Sequence, residues 1–367
     1  VLSHGVILWR ELTHWLGGMG ILVFMLAVFP SADGEATYIF GAESTGYRSD
    51  KIAPKMRYNA LILYIIYISF TVLETCLLAV KMPVFDAVIH AMGTVSTGGF
   101  SSNALSVMGY GDKYVEIVIT VFMFLCSLNF SLYFLLILGS FKEVLKSEEL
   151  RVYVVMMIAS ILIIALSLLN TYGNFATCLR YSSVQALSFS STTGFFSAAF
   201  TNWPTISKTV LIFLMLIGGM CGSTAGGMKV ARACIIMKTA KGDLTKVYRP
   251  NRMICVKFDG KTLSATDTAN VRVFVVLYFT LLIISAFLLS LAGMISKNPT
   301  TLGENLTGAL SAISNVGPFF GNATAYGGDF TCFNGLQKLI LSIDMLAGRL
   351  EIFPIMLVFM PGYWRYK

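Results

Sequence analysis

The sequence is poor in charged residues and in the side chains that most enzymes use for chemistry. Asp, Glu, Lys and Arg make up 13% of its 367 residues, whereas a soluble domain carries about 25%. Its three histidines and seven scattered cysteines lack the H-E-x-x-H and C-x-x-C spacings of metal and redox sites. The phosphate-binding pattern G-x-x-x-x-G-K-[ST] is also missing. These absences argue against a soluble protein and against an enzyme.

Hydrophobic residues are abundant instead, at 56% of the chain, and the mean hydropathy is +0.74. Because roughly 20 apolar residues cross a bilayer as a helix, the sequence predicts an all-α integral membrane protein. The apolar stretches long enough to span lie near 10–30, 58–80, 115–140, 151–170, 206–238, 270–295 and 336–360. The stretch 206–238 is too long for one simple span, and glycines interrupt its middle.

Three short segments, 96–100, 192–196 and 315–319, look like one segment repeated. Each follows a short amphipathic stretch and precedes a long apolar run, which predicts repeated helix–pore loop–helix units. Irregular backbone at membrane depth survives only where it is buried in protein or lines a water-filled path. Carbonyl oxygens of such loops can replace the hydration shell of a small cation.

The three segments therefore supply the predicted ion-binding filter. We align Gly98, Gly194 and Gly317 at its centre, because glycine adopts the required backbone angles at little steric cost. Hydroxyl oxygens of Thr97 and Thr193 can add ligands, whereas Val316 offers only backbone. The predicted ligands of a transported cation are Ser96, Thr97, Gly98, Gly99, Thr192, Thr193, Gly194, Asn315, Val316 and Gly317.

The units divide the chain into four parts. Residues 1–57 hold the last helix of a first repeat and an inner loop, and 58–150 form a second repeat. Residues 151–268 form a third repeat with a basic segment, and 269–367 form a fourth. Four-fold closure around a central pore is the natural arrangement, so we expect a pseudo-fourfold, potassium-channel-like fold with further chain before Val1.

Most Lys and Arg residues lie in the connections opposite the three loops, above all in the stretch 238–272. Since basic residues favour the cytoplasm, we expect the filter loops to face outside. This distribution also explains the net charge of +8 without a nucleic-acid partner. The basic stretch is either a plain topology signal or a docking surface for a cytoplasmic partner.

A glycine-rich stretch, 218–227, interrupts the third repeat. Five glycines in ten residues each weaken a helix by about 1 kcal/mol relative to alanine, so the stretch is either a mid-membrane loop or a site of close helix packing. Lys229 and Arg232 follow it and are expected to snorkel toward the cytoplasm.

Arg349 lies well inside the apolar run 336–360. A charge there is costly and usually faces a cavity or a partner. Asp344 and Glu351 lie on other helix faces. Arg349 is therefore either part of an ion pair with another helix or exposed to a pore.

Several motifs together resemble the bacterial Trk/Ktr/HKT potassium-transporter superfamily, and most closely its TrkH/TrkG branch. They are 9–20 (WRELTHWLGGMG), the three filter segments, 218–229 (GGMCGSTAGGMK) and 347–351 (AGRLE). The resemblance implies a homodimeric subunit of the bacterial inner membrane with one pore per subunit, regulated by a cytoplasmic TrkA-type nucleotide-binding ring. It implies K⁺ as the transported ion and no cofactor in this chain itself.

The resemblance also implies a gate. The glycine-rich loop would obstruct the pore below the filter, with Arg349 beside it. The implied gate residues are Gly218, Gly219, Gly222, Ser223, Thr224, Ala225, Gly226, Gly227 and Arg349.

Two functional classes follow from the residues. The favoured one is a potassium-uptake subunit that conducts K⁺ and Rb⁺. The alternative is a sodium-coupled secondary solute transporter with broken helices, but inverted repeats would place the loops on opposite sides. The residues leave passive and proton- or sodium-coupled flux as alternatives.

Overall fold

A computed structural model of the chain describes residues 3–20, 56–249, 255–296, 300–321, 330–350 and 352. Within these ranges the fold is helical, apart from one short β-hairpin. The helices are α1 His4–Gly18, α2 Met56–Leu78, α3 Val84–Val95, α4 Lys113–Ser127, α5 Phe130–Ile137, α6 Phe141–Lys146, α7 Glu148–Tyr172, α8 Phe175–Ser190, α9 Thr205–Ile217, α10 Val230–Tyr248, α11 Ala265–Ile295, α12 Leu302–Ser314 and α13 Gly335–Arg349. The strands β1 Lys257–Phe258 and β2 Lys261–Thr262 pair antiparallel.

The three complete helix–loop–helix units expected from the sequence are present. In each, a short helix packs against the long helix before it and the helix after it. These sets are α2, α3 and α4, then α7, α8 and α9, then α11, α12 and α13. The short helices α3, α8 and α12 all end directly before a predicted filter segment.

The units stand side by side in chain order. Helix α1 packs against α3, α4 packs against α8, and α9 packs against α12. Each short helix therefore contacts the helix that precedes its own unit as well as its own partners. This shared packing brings the ends of α3, α8 and α12 together.

Local sequence explains where several helices begin. Ser264 with Asp267, Thr301 with Glu304 and Asn334 with Gln337 form capping boxes at the starts of α11, α12 and α13. Such boxes satisfy two backbone N–H groups that have no partner inside the helix. At the other end of α12, Asn315 adopts a left-handed conformation with φ of 56°, which begins the third segment.

The stretch 115–140, expected as one span, is broken. Helices α4 and α5 meet at an angle of 92°, and the Asn129 side chain caps α5 by accepting a hydrogen bond from Ser131 N–H at 2.9 Å. The backbone groups at the break bind the loop between α9 and α10. Met220 N–H donates to Ser127 O and Phe130 N–H donates to Gly222 O, each at 3.0 Å. These bonds offset the cost of the break.

Among the described residues, three helices are long and apolar enough to span a membrane, or four if α4 and α5 count as one bent span. Seven spans were expected. The stretch 206–238 is instead divided into α9 and α10, and both 10–30 and 336–360 run into residues outside the described ranges. Large apolar side chains are exposed on the outer surface, such as Val155 on α7 and Ile283 on α11, which fits a lipid environment.

Candidate ion filter and gate

The three predicted filter segments line one cavity of about 440 Å³. They come from three different units, up to 220 positions apart in the chain, so the fold converges them on a common space. Helix α1 supplies Thr13, His14 and Gly17 to the wall, and α13 supplies Met345 and Arg349. The segment residues in the wall are Thr97, Gly98, Gly99, Thr192, Thr193, Gly194, Asn315, Val316 and Gly317, while Ser96 is buried next to them.

The segments share one backbone conformation. Thr97, Thr192 and Asn315 have φ values of 56°, 57° and 56°, and the glycines two positions later have φ values between 66° and 99°. The residue between them donates its N–H five residues back, from Gly98 to Gly93 at 2.7 Å and from Thr193 to Ser188 at 3.0 Å. Val316 donates to Ser311 in the same way, at 3.0 Å.

This geometry corrects the sequence alignment by one position in the first segment. The equivalent glycines are Gly99, Gly194 and Gly317, while Gly98 corresponds to Thr193 and Val316. The sequence misled because two adjacent glycines, 98 and 99, offered two registers. Only the backbone dihedrals and the five-residue hydrogen bonds distinguish them.

At two of the three equivalent positions only glycine fits, because a carbonyl of the next segment lies too close for a Cβ atom. A Cβ on Gly99 would lie 1.6 Å from the Thr193 carbonyl oxygen, and a Cβ on Gly194 would lie 2.3 Å from the Val316 carbonyl oxygen. Each glycine thus leaves room for the carbonyl of the next unit. By contrast, a Cβ on Gly98 would meet the His14 ring at 1.9 Å.

The threonine hydroxyls expected as extra ligands already have hydrogen-bond partners within the protein. Thr97 Oγ1 donates to Thr224 O at 2.9 Å, and Thr193 Oγ1 lies 2.7 Å from Ser191 Oγ. The main-chain carbonyls are therefore the principal candidate ligands. The C-terminal ends of α3, α8 and α12 add partial negative charge next to them. Among the described residues there is no cluster of three His, Cys, Asp or Glu side chains that could hold a resident metal.

The loop 218–229 between α9 and α10, called the gate loop below, contacts two of the segments. Thr224 O accepts from Thr97 Oγ1, and Thr224 Oγ1 donates to Val95 O at 3.1 Å. Gly226 N–H donates to Thr192 Oγ1 at 2.6 Å. The other predicted gate residues lie in the same loop, most of them buried: Gly218, Gly219, Gly222, Ser223, Ala225 and Gly227.

Arg349 reaches the gate loop from the end of α13. Its Nη1 donates to Thr224 O at 3.3 Å, and its Nη2 donates to the carbonyls of Gly17 and Gly18 at 2.6 and 3.0 Å. The side chain thereby bridges α1 and the gate loop while facing the cavity. Asp344 instead accepts a hydrogen bond from Ser285, and Glu351 lies outside the described residues.

The expectation that Lys229 and Arg232 snorkel to the cytoplasm was wrong, because both are buried. Lys229 Nζ donates to the carbonyls of Ala225 and Met220, so the gate loop folds back over its own lysine. The Arg232 guanidinium lies 3.8 Å from the ring centre of Phe274. Carbonyls and an aromatic face replace water around these two charges.

Two residues that the sequence analysis did not single out also belong to this region. His14 Nδ1 lies 2.8 Å from Ser96 Oγ and its ring forms part of the cavity wall. Glu149 Oε1 accepts the N–H groups of Cys221 and Ala231 at the two ends of the gate loop. His14 lies in the WRELTHWLGG motif, which was a usable signal. Nothing in the sequence indicated a role for Glu149, because acidic residues are common in the first turn of a helix.

Comparison with known proteins gives a consistent result. A family model described as "TrkH: Cation transport protein" matches residues 2–366. The potassium uptake protein TrkH of Halomonas elongata is 31% identical over all of this chain and 75% of its own length. TrkH of Salmonella typhimurium is 29% identical over 99% of this chain and 74% of its own length.

A solved structure shares the fold. The crystal structure of the potassium transporter TrkH from Vibrio parahaemolyticus superposes with a TM-score of 0.84, covering 99% of this chain and 74% of that one at 26% identity. The expected all-α membrane fold is thereby confirmed. Given this likeness and the match along nearly its whole length, the chain belongs to the TrkH family of cation transport proteins, which are transporters and not enzymes.

Proposed function

We propose that this chain is the membrane subunit of a Trk-type potassium uptake system of the bacterial inner membrane. The observation that carries the proposal is the common backbone of the three segments around one cavity. The curated relatives it resembles are named as potassium uptake proteins. In this function K⁺ is the cargo, and the chain itself needs no cofactor.

The filter acts through backbone carbonyls. A K⁺ ion entering the cavity loses water and gains oxygens from Gly98, Thr193, Val316 and their neighbours, in the manner of other carbonyl filters. The helix ends beside the segments favour a positive charge at this point. We place the filter side outside, because the basic connections favour the cytoplasm.

The gate lies directly below the filter. The gate loop hydrogen-bonds to the first two segments through Thr224 and Gly226, so it occupies the path of an ion leaving the cavity. Arg349 adds a positive charge that opposes cations at the same place. To open, the gate loop must break its hydrogen bonds to Thr97, Thr192 and Arg349 at the same time.

The subunit works with partners. We propose a homodimer with one pore per subunit, regulated by a TrkA-type nucleotide-binding subunit that docks on the basic inner surface. Lys246 and Arg249 near the end of α10 are exposed there, whereas Arg252, also expected in this surface, lies outside the described residues. The repeat boundaries 1–57, 58–150, 151–268 and 269–367 fit this scheme, because each of the last three contains a segment and its flanking helices.

Flux of ⁸⁶Rb⁺ into vesicles that contain the protein tests the function. We expect ⁸⁶Rb⁺ uptake, and we expect K⁺ to inhibit it more strongly than Na⁺ does. Uptake that continues without any imposed Na⁺ or H⁺ gradient indicates passive conduction, whereas dependence on one gradient indicates coupling. Absence of Rb⁺ flux, together with Na⁺-dependent uptake of an organic solute, would instead favour the secondary-transporter alternative.

A further inference from the structure

Glu149, in the first turn of α7, ties the two ends of the gate loop to one point. Its carboxylate is buried, with 4% of the residue exposed. Oxygen Oε1 accepts the N–H of Cys221 at 2.8 Å and the N–H of Ala231 at 3.1 Å. Cys221 lies early in the loop and Ala231 lies just beyond its end, so a single atom fixes both.

One of these bonds is made in the first turn of α10. Helix α10 begins at Val230, and N–H groups in a first helical turn have no partner inside the helix. A carboxylate at this end also interacts favourably with the helix dipole. Because one oxygen accepts both N–H groups, Glu149 holds the loop near both of its ends.

The β-hairpin 257–262 lies next to the same anchor, since Asp259 binds the N–H of the neighbouring Glu148. Its turn residues Asp259 and Gly260 have φ values of 47° and 75°, as a tight two-residue hairpin turn requires. Phe258 is buried in one hydrophobic cluster with Cys221 and Ala231. The two residues held by Glu149 and the buried side chain of the hairpin thus belong to one cluster.

The hairpin is fastened to the start of α7 as well. Glu148 N–H donates to Asp259 Oδ1 at 2.5 Å, and Lys238 Nζ on α10 donates to Lys257 O at 2.7 Å. A displacement of the exposed hairpin turn therefore acts on α7, α10 and the Phe258 contact together.

We propose that Glu149 is a positioning residue that holds the gate loop in its closed conformation, and that the hairpin 257–262 is the element through which a soluble cytoplasmic partner releases it. This role rests on the proposed function of the loop as a gate. The hairpin directly follows the basic segment and joins exposed surface to the buried loop ends. A partner that moves the hairpin disturbs the cluster of Phe258, Cys221 and Ala231 and, through the bond from Glu148 N–H to Asp259, the start of α7 that carries Glu149.

Thiol labelling of Cys221 measures the loop position without relying on transport. Cys221 is buried, so its reaction with a maleimide in folded protein reports loosening of the loop. The background carries alanine at the exposed and half-buried cysteines Cys76, Cys234, Cys255 and Cys332, while Cys126 and Cys178 are buried. We expect Glu149→Gln to raise the labelling rate by about tenfold, the scale set by weakening two hydrogen bonds.

The matched control is Glu143→Gln, which removes an exposed carboxylate from the preceding helix α6. Glu148 is not suitable as a control, because its carboxylate pairs with Lys238, which also holds the hairpin. We expect Glu143→Gln to label like the parent. Glu149→Asp, which keeps the charge but shortens the reach, serves if Glu149→Gln does not fold, and we expect it to raise labelling as well.

Phe258→Ala tests the hairpin, with Lys257→Ala on the exposed side of the same strand as its control. We expect faster Cys221 labelling only in Phe258→Ala. ⁸⁶Rb⁺ flux without any partner should rise in both Glu149→Gln and Phe258→Ala. Parental labelling rates in monodisperse Glu149 variants would overturn the positioning role. Faster labelling with unchanged flux would support the positioning role of Glu149 but show that the loop is not a gate. Failure of the positioning role and failure of the gate function are therefore distinguishable.

Discussion

The three filter segments share one backbone, whereas the helices that follow them have diverged. Thr97, Thr192 and Asn315 have φ values within a degree of one another. Of the following helices, α4 meets α5 at a sharp bend, α9 gives way to the gate loop, and α13 continues to Arg349. In the proposed filter, an ion at the centre would contact every segment, so all segments would have to present the same groups. A gate needs only one obstruction, so one unit can supply it.

The two regions also differ in what fixes them. Segment geometry depends on backbone hydrogen bonds within each unit, such as Gly98 N–H to Gly93 O. The gate loop depends on contacts between units, such as Thr224 to Val95 and Gly222 to Phe130. Substitutions in the segments should therefore change ion selectivity, and substitutions around the loop should change the amount of flux.

The largest effect is expected at the segment glycines. Gly99→Ala and Gly194→Ala place a Cβ against the carbonyl of the next unit, at 1.6 and 2.3 Å. A left-handed conformation alone costs an alanine roughly 1–2 kcal/mol, so we expect the preference for K⁺ over Na⁺ in ⁸⁶Rb⁺ competition to fall by about tenfold or more.

Gly111→Ala is the matched control for backbone strain. Gly111 also has a positive φ, 61°, but a Cβ there meets nothing within 4 Å, and it lies outside the cavity wall. Selectivity of this variant should match the parent. Unchanged Na⁺ competition in both Gly99→Ala and Gly194→Ala would refute the filter assignment.

Arg349→Ala should raise flux without altering ion preference. A unit charge about 6 Å from a passing cation opposes it by roughly 3 kcal/mol at an effective dielectric near 20, and water in the cavity reduces this figure. We expect ⁸⁶Rb⁺ flux without a partner to rise by about tenfold. The protein should remain folded, because Arg349 is exposed to the cavity and its loss leaves carbonyls that water can reach.

Arg349→Lys provides the control, because it keeps the positive charge and loses the planar guanidinium. Flux close to that of the parent in this variant would indicate that charge limits conduction. If Arg349→Ala instead aggregates, or folds with unchanged flux, the residue is structural.

Much of this arrangement was accessible from sequence, because the features depend on local pattern. Apolar runs and the recurrence of short glycine-containing segments indicated the three units, and five glycines in ten residues indicated the break before Val230. The bend at Asn129 was missed because Ser127, Asn129 and Ser131 are isolated polar residues within a long apolar stretch. Its cause is the gate loop, whose Met220 and Gly222 bind the freed backbone groups, and that loop lies about 90 residues later in the chain.

Burial was also misjudged where the fold of a loop supplies the partners of a charged side chain. Lys229 looked like a residue that extends to water, yet its ammonium group is enclosed by carbonyls of its own loop. Sequence shows the charge but not the fold of the loop that surrounds it. The choice between Gly98 and Gly99 failed for a similar reason, since the register depends on dihedral angles.

Thr224→Val should loosen the gate loop by a smaller amount. Valine keeps the shape of threonine but loses the hydroxyl bonds to Val95 O and Cys126 O, at 3.1 and 3.4 Å. A neutral hydrogen bond contributes about 1 kcal/mol, so we expect partner-independent ⁸⁶Rb⁺ flux to rise roughly fivefold. Thr209→Val, on the exposed side of α9, should leave flux unchanged. Equal flux in both variants would show that Thr224 does not hold the loop closed.

The smallest effect is expected at the basic inner surface, where the charges are solvent-exposed. Reversal of Lys246 and Arg249 to glutamate should weaken capture of a TrkA-type subunit by about threefold, because an exposed pair contributes only about 0–1 kcal/mol. Raised salt should weaken capture by the parent as well, since it screens exposed charges.

Reversal of Lys113, which begins α4 on the side of the filter, is the control for net charge and should leave capture unchanged. Intrinsic flux and membrane insertion should match the parent in all variants. Equal capture by the reversed and parental proteins would leave the basic stretch as a topology signal only. A partner that acts on the hairpin would then have to bind through residues other than Lys246 and Arg249.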